Sequence, residues 1–122
     1  MNVVVLRGAL SRPPEARELR SGDVVVQLDV TVPGRDGGPA ESVPVAWFSP
    51  PSSAGATDMA AGTEVVVVGR IRRRFFRVAN GTGSRTEVVA DKVIPTRRAK
   101  AAERAVLDAL ADAEEVFVTP AA

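Results

Sequence analysis

The strongest constraint on the fold is a nine-residue segment in which apolar and polar side chains alternate. In Val24–Val32 every second residue from Val24 onward is apolar, and Gln27, Asp29 and Thr31 lie between them. Because successive side chains of a strand point to opposite sides of a sheet, this period of two predicts a strand with one buried side. The segment therefore indicates a sheet protein in which one face of the sheet covers a hydrophobic core.

Four further segments have the composition of strands. They are rich in valine, whose branched side chain favours extended backbone, and they span residues 3–10, 43–48, 63–78 and 85–94. Residues 80–84 separate the last two, and the Asn80-Gly81 pair is typical of a hairpin turn. One helical turn is predicted near residues 57–61, between the third and the fourth strand.

From residue 96 the pattern changes to that of a helix. Residues 97–116 are rich in Ala, Glu, Leu and Arg, and apolar residues recur there at spacings of three and four, at Ala99, Ala102, Val106, Leu110 and Ala113. Five strands with a short helix between the third and the fourth is the element order of an OB-fold. We therefore expect an all-β, five-stranded OB-fold barrel over residues 1–95 and a C-terminal amphipathic helix with a short tail over residues 96–122. Another small barrel or sandwich is the alternative.

The amino-acid composition argues against several classes of function. The chain has no Cys and no His, so it lacks the usual zinc ligands, a thiol nucleophile and the commonest general base. It also has no P-loop motif for phosphate. We therefore expect no enzyme, no cofactor and no metal site. No apolar run approaches the ~20 residues that cross a bilayer, and the N-terminus has no signal-peptide pattern, which predicts a cytoplasmic protein that does not enter a membrane.

Charge is distributed unevenly along the chain, although the net charge is only +1. Residues 64–100 hold ten Arg or Lys against three Asp or Glu, whereas the segments on either side are net negative. Fourteen of the sixteen basic residues are Arg, whose planar guanidinium binds phosphate and stacks on flat rings. A basic segment of this kind indicates an anion-binding surface, although GC-rich coding would also enrich a chain in arginine.

One side of the strand at residues 63–78 carries the clearest candidate site. With a period of two, four residues fall on the same side of this strand: Arg70, Arg72, Arg74 and Phe76. Single-stranded nucleic acid requires cations that follow its phosphates and rings on which its bases stack, and each stacked base contributes ~1–3 kcal/mol. Arg77 and Arg85 extend the basic character around the hairpin. The alternative is a solvated basic edge that opposes aggregation between strands.

The order and spacing of these segments resemble those of the bacterial single-stranded DNA-binding protein (SSB) family. The similar runs are Asn2-Val3-Val4-Val5-Leu6-Arg7-Gly8-Ala9-Leu10 with Pro14-Glu15-Ala16-Arg17, then residues 63–72 and 85–93. The resemblance covers residues 1–95. It implies an OB-fold that binds single-stranded DNA without sequence specificity, in replication, recombination and repair, as a homo-oligomer that is a tetramer or a dimer.

The resemblance also implies roles for individual residues. Phe76 falls at a base-stacking aromatic position, Trp47 falls near another such position, and Arg72 and Arg74 fall at basic positions. On burial statistics alone, a lone Trp is more often a core residue. The assignment of Trp47 therefore stays open between a stacking ring and a core residue, while Phe48, on the opposite side of the same strand, is assigned to the core.

Two features of the family have no counterpart in this sequence. One is the tryptophans after the second strand and early in the third, and the other is a long tail with an acidic, hydrophobic tip. We therefore expect a shortened member with weaker DNA binding, in which recruitment of partner proteins through a tail is doubtful. The rival interpretation is an OB-fold assembly or protein-interaction module with weak or lost nucleic-acid binding, whose helix packs on a neighbour through Val106 and Leu110. RNA binding fits the pattern equally well.

Overall fold

The computed structural model describes residues 1–115 and residue 117. Within that part of the chain it contains six strands, two short 3-10 turns and one α-helix. The strands are β1 (Val4–Leu10), β2 (Glu15–Glu18), β3 (Val24–Val32), β4 (Glu41–Phe48), β5 (Glu64–Val78) and β6 (Gly81–Pro95), and the helix is α1 (Ala99–Glu115). The prediction of a mostly β fold followed by a C-terminal helix is confirmed.

Five of the six strands are paired in a closed cycle. β1 pairs antiparallel with β5, β5 with β6 and β3 with β4, while β4 runs parallel to β6. The cycle closes where Ala9 and Leu10 of β1 pair with Thr31 and Val30 of β3. β2 lies outside the cycle, against β3. This arrangement is consistent with an OB-fold.

Two glycines allow the strands of the cycle to approach closely. A Cβ atom at Gly8 would overlap the backbone oxygen of Thr31, where β1 meets β3. A Cβ atom at Gly69 would overlap the backbone oxygen of Val89, next to an irregularity in the pairing of β5 with β6. At both positions a larger residue would push two backbones apart, so glycine is required by the closure itself.

The hydrophobic core lies between the strands of the cycle and consists mainly of valine. The largest fully buried side chains are Leu10, Val26, Val30, Val65 and Val67. The alternation predicted for β3 is confirmed, because Val26, Leu28 and Val30 all belong to this core. Each such side chain contributes about 1.5–3 kcal/mol when it leaves water, so the core fixes which side of each strand faces outward.

Helix α1 packs against β5 and β6 through small side chains. Ala102, Ala105 and Ala109 are its buried residues, and their spacing of three and four places them on one face of the helix. Leu110, which the sequence places in the apolar stripe, is 56% exposed. The buried stripe therefore differs from the predicted one, because the alanines allow the helix backbone to come close to the sheet while the leucines remain in solvent.

Two further elements differ from the expectation. The sequence predicts no strand in residues 11–21, yet β2 forms there and pairs with β3. All four residues of β2 are exposed, so no apolar alternation marks this strand in the sequence. The helical turn predicted near residues 57–61 is also wrong, since the 3-10 turn lies at Ser52–Ala54.

Candidate nucleic-acid interface

β5 and β6 continue beyond the closed cycle as a two-stranded arm. β1 pairs with β5 as far as Gly69, and β4 pairs with β6 at Val88 and Val89. From the pair of Arg72 with Glu87 to the turn, β5 and β6 pair only with each other, and we call residues 70–87 the arm. The arm contains six arginines and one carboxylate residue, so it presents positive charge on a narrow, solvent-accessible support.

The base of the arm is held by the side chain of Asn2. Its Nδ2 donates a hydrogen bond to the backbone oxygen of Ile71 at 2.8 Å, and its Oδ1 accepts one from the backbone nitrogen of Ile71 at 2.9 Å. The amide thus replaces the two hydrogen bonds that a neighbouring strand would make. Asn2 opens the run that resembles the SSB family, and the structure shows that it fixes the start of the arm.

Four of the predicted residues, Arg70, Arg72, Arg74 and Phe76, lie on one side of the arm, which we call its outer side, whereas Arg77 follows Phe76 and projects to the opposite side. Paired residues of antiparallel strands project to the same side, and the pairs there are Arg72 with Glu87, Arg74 with Arg85, and Phe76 with Gly83. The structure thus brings Arg85 to the same side as the arginines of β5. The period of two that the sequence shows is maintained along this part of β5.

Phe76 is an exposed ring supported from below by a glycine. A Cβ atom at Gly83 would lie 2.6 Å from the Cε2 atom of Phe76, so the ring occupies the space above the glycine backbone. The side chain is 42% exposed. One surface of the ring rests on the opposite strand, which leaves the other surface for contact with a base.

The structure decides between the two alternatives for Trp47 and contradicts the position expected for Phe48. Trp47 is only 4% exposed and belongs to the core, so of the two alternatives the core residue is correct and the stacking ring is not. Phe48 is 39% exposed, so its assignment to the core is wrong. The cause is the alternation along β4, in which Val45 and Trp47 both face the core and Phe48 must face outward. The shared parity of Val45 and Trp47 is the sequence signal that would have identified Phe48.

Glu87 is a buried carboxylate that two arginines share. It is 5% exposed, and its Oε1 lies 2.9 Å from Nη2 of Arg72 and 3.4 Å from Nε of Arg74. The contact with Arg72 is a hydrogen bond. The Nε atoms of Arg72 and Arg74 are shielded from solvent and have no hydrogen-bond partner, and a buried donor of this kind costs about 1–3 kcal/mol. The sequence did not reveal this cluster, because it depends on the register between β5 and β6.

Arg72 also contacts the outward-facing ring of β4. Its Cζ atom lies 5.2 Å from the centroid of the Phe48 ring, within the range of a cation–π interaction. A small cleft lies on the outer surface of the sheet beside the arm. It is lined by Arg17, Leu19, Val25, Gln27, Ala46, Phe48, Arg72, Arg74 and Glu87. Phe48 and Arg74 thus line one cleft, and Phe76 lies two residues beyond Arg74 on the same side of β5.

The other predicted arginines are exposed and are not held by a buried partner in the described part of the chain. Nη1 of Arg70 lies 3.9 Å from Oδ1 of Asp91, and both side chains are more than half exposed. An exposed ion pair of this kind contributes only about 0–1 kcal/mol to stability. Arg70 can therefore exchange Asp91 for a phosphate. Arg77 and Arg85 are exposed, and no ion pair among the described residues includes either of them.

The opposite side of the arm carries a second ring. Phe75 is 66% exposed, and the Cζ atom of Arg73 lies 5.9 Å from its ring centroid. Ile71 is 52% exposed on the same side. Phe75 and Phe76 therefore project in opposite directions, as the period of two requires. A nucleic-acid strand bound to the outer side contacts Phe76 and does not reach Phe75.

A closed cycle of strands that carries a basic arm with exposed rings is typical of proteins that bind nucleic acid. A family model described as "Single-strand binding protein family" matches residues 1–96. The chain therefore belongs to the single-strand binding protein family, which confirms the resemblance seen in the sequence. A search of curated proteins found no match.

Family membership implies binding of single-stranded DNA, and members of the family bind DNA without being enzymes. The match ends at residue 96, so helix α1 lies outside it. In residues 1–115 and 117, no helix is long and apolar enough to span a membrane. The same residues contain no group of three or more side chains arranged to hold a metal ion.

Proposed function

We propose that the protein binds single-stranded DNA without sequence specificity through the outer side of the arm, in replication, recombination or repair. The observation that carries this proposal is the exposed ring of Phe76, which lies above Gly83. It follows a row of arginines on the same side of β5. A ring accepts any base, and guanidinium groups follow the phosphates. The closed cycle of strands supports a five-stranded OB barrel as the scaffold, with β2 added at its edge.

The geometry supports a revised set of contact residues. Phe76 and Phe48 stack bases, since both are exposed on the outer surface. Arg70 and Arg85 contact phosphates, and Arg77, which projects to the opposite side of the arm, is left out of the outer-side contacts. Arg72 and Arg74 line the cleft that contains Phe48. Trp47 is left out of the contacts because it lies in the core.

The test is binding of a fluorescently labelled dT oligomer, measured by anisotropy. Trp47 is buried, so intrinsic fluorescence is a poor reporter and the label belongs on the DNA. Phe76→Ala is expected to weaken binding by about 5- to 150-fold, which corresponds to ~1–3 kcal/mol for a stacked base. Phe75→Ala removes the same side chain from the opposite side of the arm and is the matched control. Equal losses from the two variants would contradict a site on the outer side.

A second candidate function is assembly or protein interaction with little nucleic-acid binding. It is favoured by an apolar groove between α1 and β1, lined by Val5, Leu6, Val66, Val106 and Leu107 among others. Leu107→Lys with Leu110→Lys changes two exposed positions on α1, so we expect the fold to be kept. This second candidate is favoured over the first if light scattering gives the double variant a lower oligomer mass than the wild type and the wild type does not bind DNA.

Other expectations from the sequence remain proposals. We propose that the protein is a homo-oligomer, a dimer or a tetramer, and light scattering of the wild type measures this directly. A cytoplasmic location remains a prediction from the sequence. The C-terminal tail, on which recruitment of partner proteins would depend, lies outside the described residues apart from Phe117.

A further inference from the structure

We propose that Glu87 is a positioning residue, which holds Arg72 and Arg74 against the sheet so that they contact bases and leave the phosphates to other arginines. This inference rests on the proposed DNA binding and assigns parts of that same site. It starts from the buried carboxylate at 2.9 Å from Nη2 of Arg72 and 3.4 Å from Nε of Arg74. Glu87 is the only carboxylate residue of the arm.

Charge on the outer side is divided into two zones. Arg72, Arg74 and Glu87 together carry a net charge of +1, and a phosphate that approached either arginine would also meet the carboxylate. Arg85 is exposed on the same side, and no ion pair among the described residues reduces its charge. Since like charges repel at short range, phosphates are favoured near Arg85 and disfavoured beside Glu87.

The geometry of Arg72 fits a base better than a phosphate. Its guanidinium lies 5.2 Å from the centroid of the Phe48 ring and donates to Glu87. The hydrogen bond restrains the side chain from turning outward into solvent. The flat guanidinium and the Phe48 ring line the same cleft, and both are groups on which nucleic-acid bases stack.

The burial of Glu87 supports a positioning role over a chance surface pair. The side chain is 5% exposed, whereas those of Arg72 and Arg74 are 35% and 40% exposed. The carboxylate thus lies beneath the two guanidinium groups, and it orients them while they remain accessible to a ligand. A ligand base therefore meets the arginines and Phe48 first, and does not touch Glu87 itself.

The experiment compares Glu87→Gln with the wild type in binding a dT oligomer over a range of salt concentrations. The change keeps the size of the side chain and removes its charge, so Arg72 and Arg74 become free to bind phosphate. Each added phosphate contact steepens the slope of log K against log salt by about 0.7 for single strands. We expect the slope to become more negative by about 0.7 to 1.4, and the preference for the dT oligomer over an abasic oligomer of equal length to fall.

Asp91→Asn is the matched control, because it changes the net charge equally and lies next to the exposed Arg70. If Asp91→Asn steepens the slope as much as Glu87→Gln, net charge explains the effect and the positioning role is overturned. An unchanged slope in Glu87→Gln overturns it too. If the wild type does not bind the dT oligomer at low salt, the proposed function fails, and this inference fails with it.

A second variant covers the case in which Glu87→Gln does not fold. Arg72→Lys keeps the charge and the partner carboxylate but removes the planar group that stacks. We expect this variant to lose several-fold of the preference for the dT oligomer over the abasic oligomer, with the same salt slope as the wild type. A preference equal to that of the wild type would overturn the assignment of Arg72 to bases.

Discussion

Phe76 on β5 covers Gly83 on β6, with its Cε2 atom 2.6 Å from the point that a Cβ of residue 83 would occupy. The position of the Phe76 ring therefore requires that residue 83 has no side chain. Gly83→Ala is expected to displace the ring and to weaken binding of a dT oligomer by up to about 5-fold, since part of a stacking energy of ~1 kcal/mol is lost. Fluorescence anisotropy measures the change. Ser84→Ala, on the other side of the arm, is the control, and wild-type affinity in Gly83→Ala would show that the position of Phe76 does not matter.

Gly8 is expected to be essential for closing the cycle of strands. Gly8→Ala places a Cβ atom where the backbone oxygen of Thr31 now lies, and forced overpacking of this kind costs about 1–3 kcal/mol. Urea denaturation measures the free energy of unfolding. Val5→Ala alters a partly exposed position of the same strand and is expected to cost less than about 1 kcal/mol. Equal stabilities of Gly8→Ala and the wild type would contradict the close approach of β1 to β3.

The stability of the protein is expected to fall in acid partly because of Glu64. Its Oε1 accepts hydrogen bonds from Nη2 of Arg7 at 2.8 Å and from Oγ1 of Thr96 at 2.9 Å. The hydrogen bond from Arg7, followed by that from Thr96, lowers the pKa of Glu64 below its ordinary value of 4.5. A carboxylate with a lowered pKa stabilises the fold above its ordinary pKa, and this contribution disappears as the pH falls through the folded-state pKa.

Glu64→Gln tests this dependence by thermal unfolding over a pH series from about 7 to about 3. The variant is expected to melt below the wild type near neutral pH and to approach it in acid. Glu18→Gln, on the exposed strand β2, is the control and is expected to leave the pH profile unchanged. A constant difference between Glu64→Gln and the wild type at every pH would contradict the lowered pKa.

Ser49 has left-handed backbone, with φ of 47°, directly after the outward-facing Phe48. A residue with a Cβ atom pays about 1–2 kcal/mol for this conformation, and glycine does not. Ser49→Gly is therefore expected to raise the free energy of unfolding by up to about 1 kcal/mol, and Ser49→Val to lower it. The backbone hydrogen bond from Ser49 to Val24 at 2.7 Å is kept in both. Chemical denaturation that ranks the valine variant above the glycine variant would contradict the strain.

The sequence was sufficient for features that one strand determines by itself. The alternation in β3 and the common side of Arg72, Arg74 and Phe76 follow from the period of two, and the structure has both. Features that depend on two strands were not accessible in this way. The Glu87 cluster requires the register of β5 against β6, and no pattern within either strand indicates it.

Adjacent aromatic residues and exposed strands account for the other differences. Trp47 and Phe48 are neighbours, so composition gives no order between them, and only the alternation of Trp47 with Val45 along β4 indicates which one is buried. β2 has four exposed residues and no alternation to mark it. The buried stripe of α1 depends on the sheet surface beneath it, which selects Ala105 and Ala109 over Leu110.

The most direct test of the account is equilibrium binding of the wild-type protein to a labelled dT oligomer across a range of salt, with a duplex of the same length as competitor. We expect binding at low salt, a linear fall of log K with log salt of about 0.7 per phosphate contact, and weak competition by the duplex. Absence of binding at low salt, or competition by the duplex equal to that by the single strand, would contradict it.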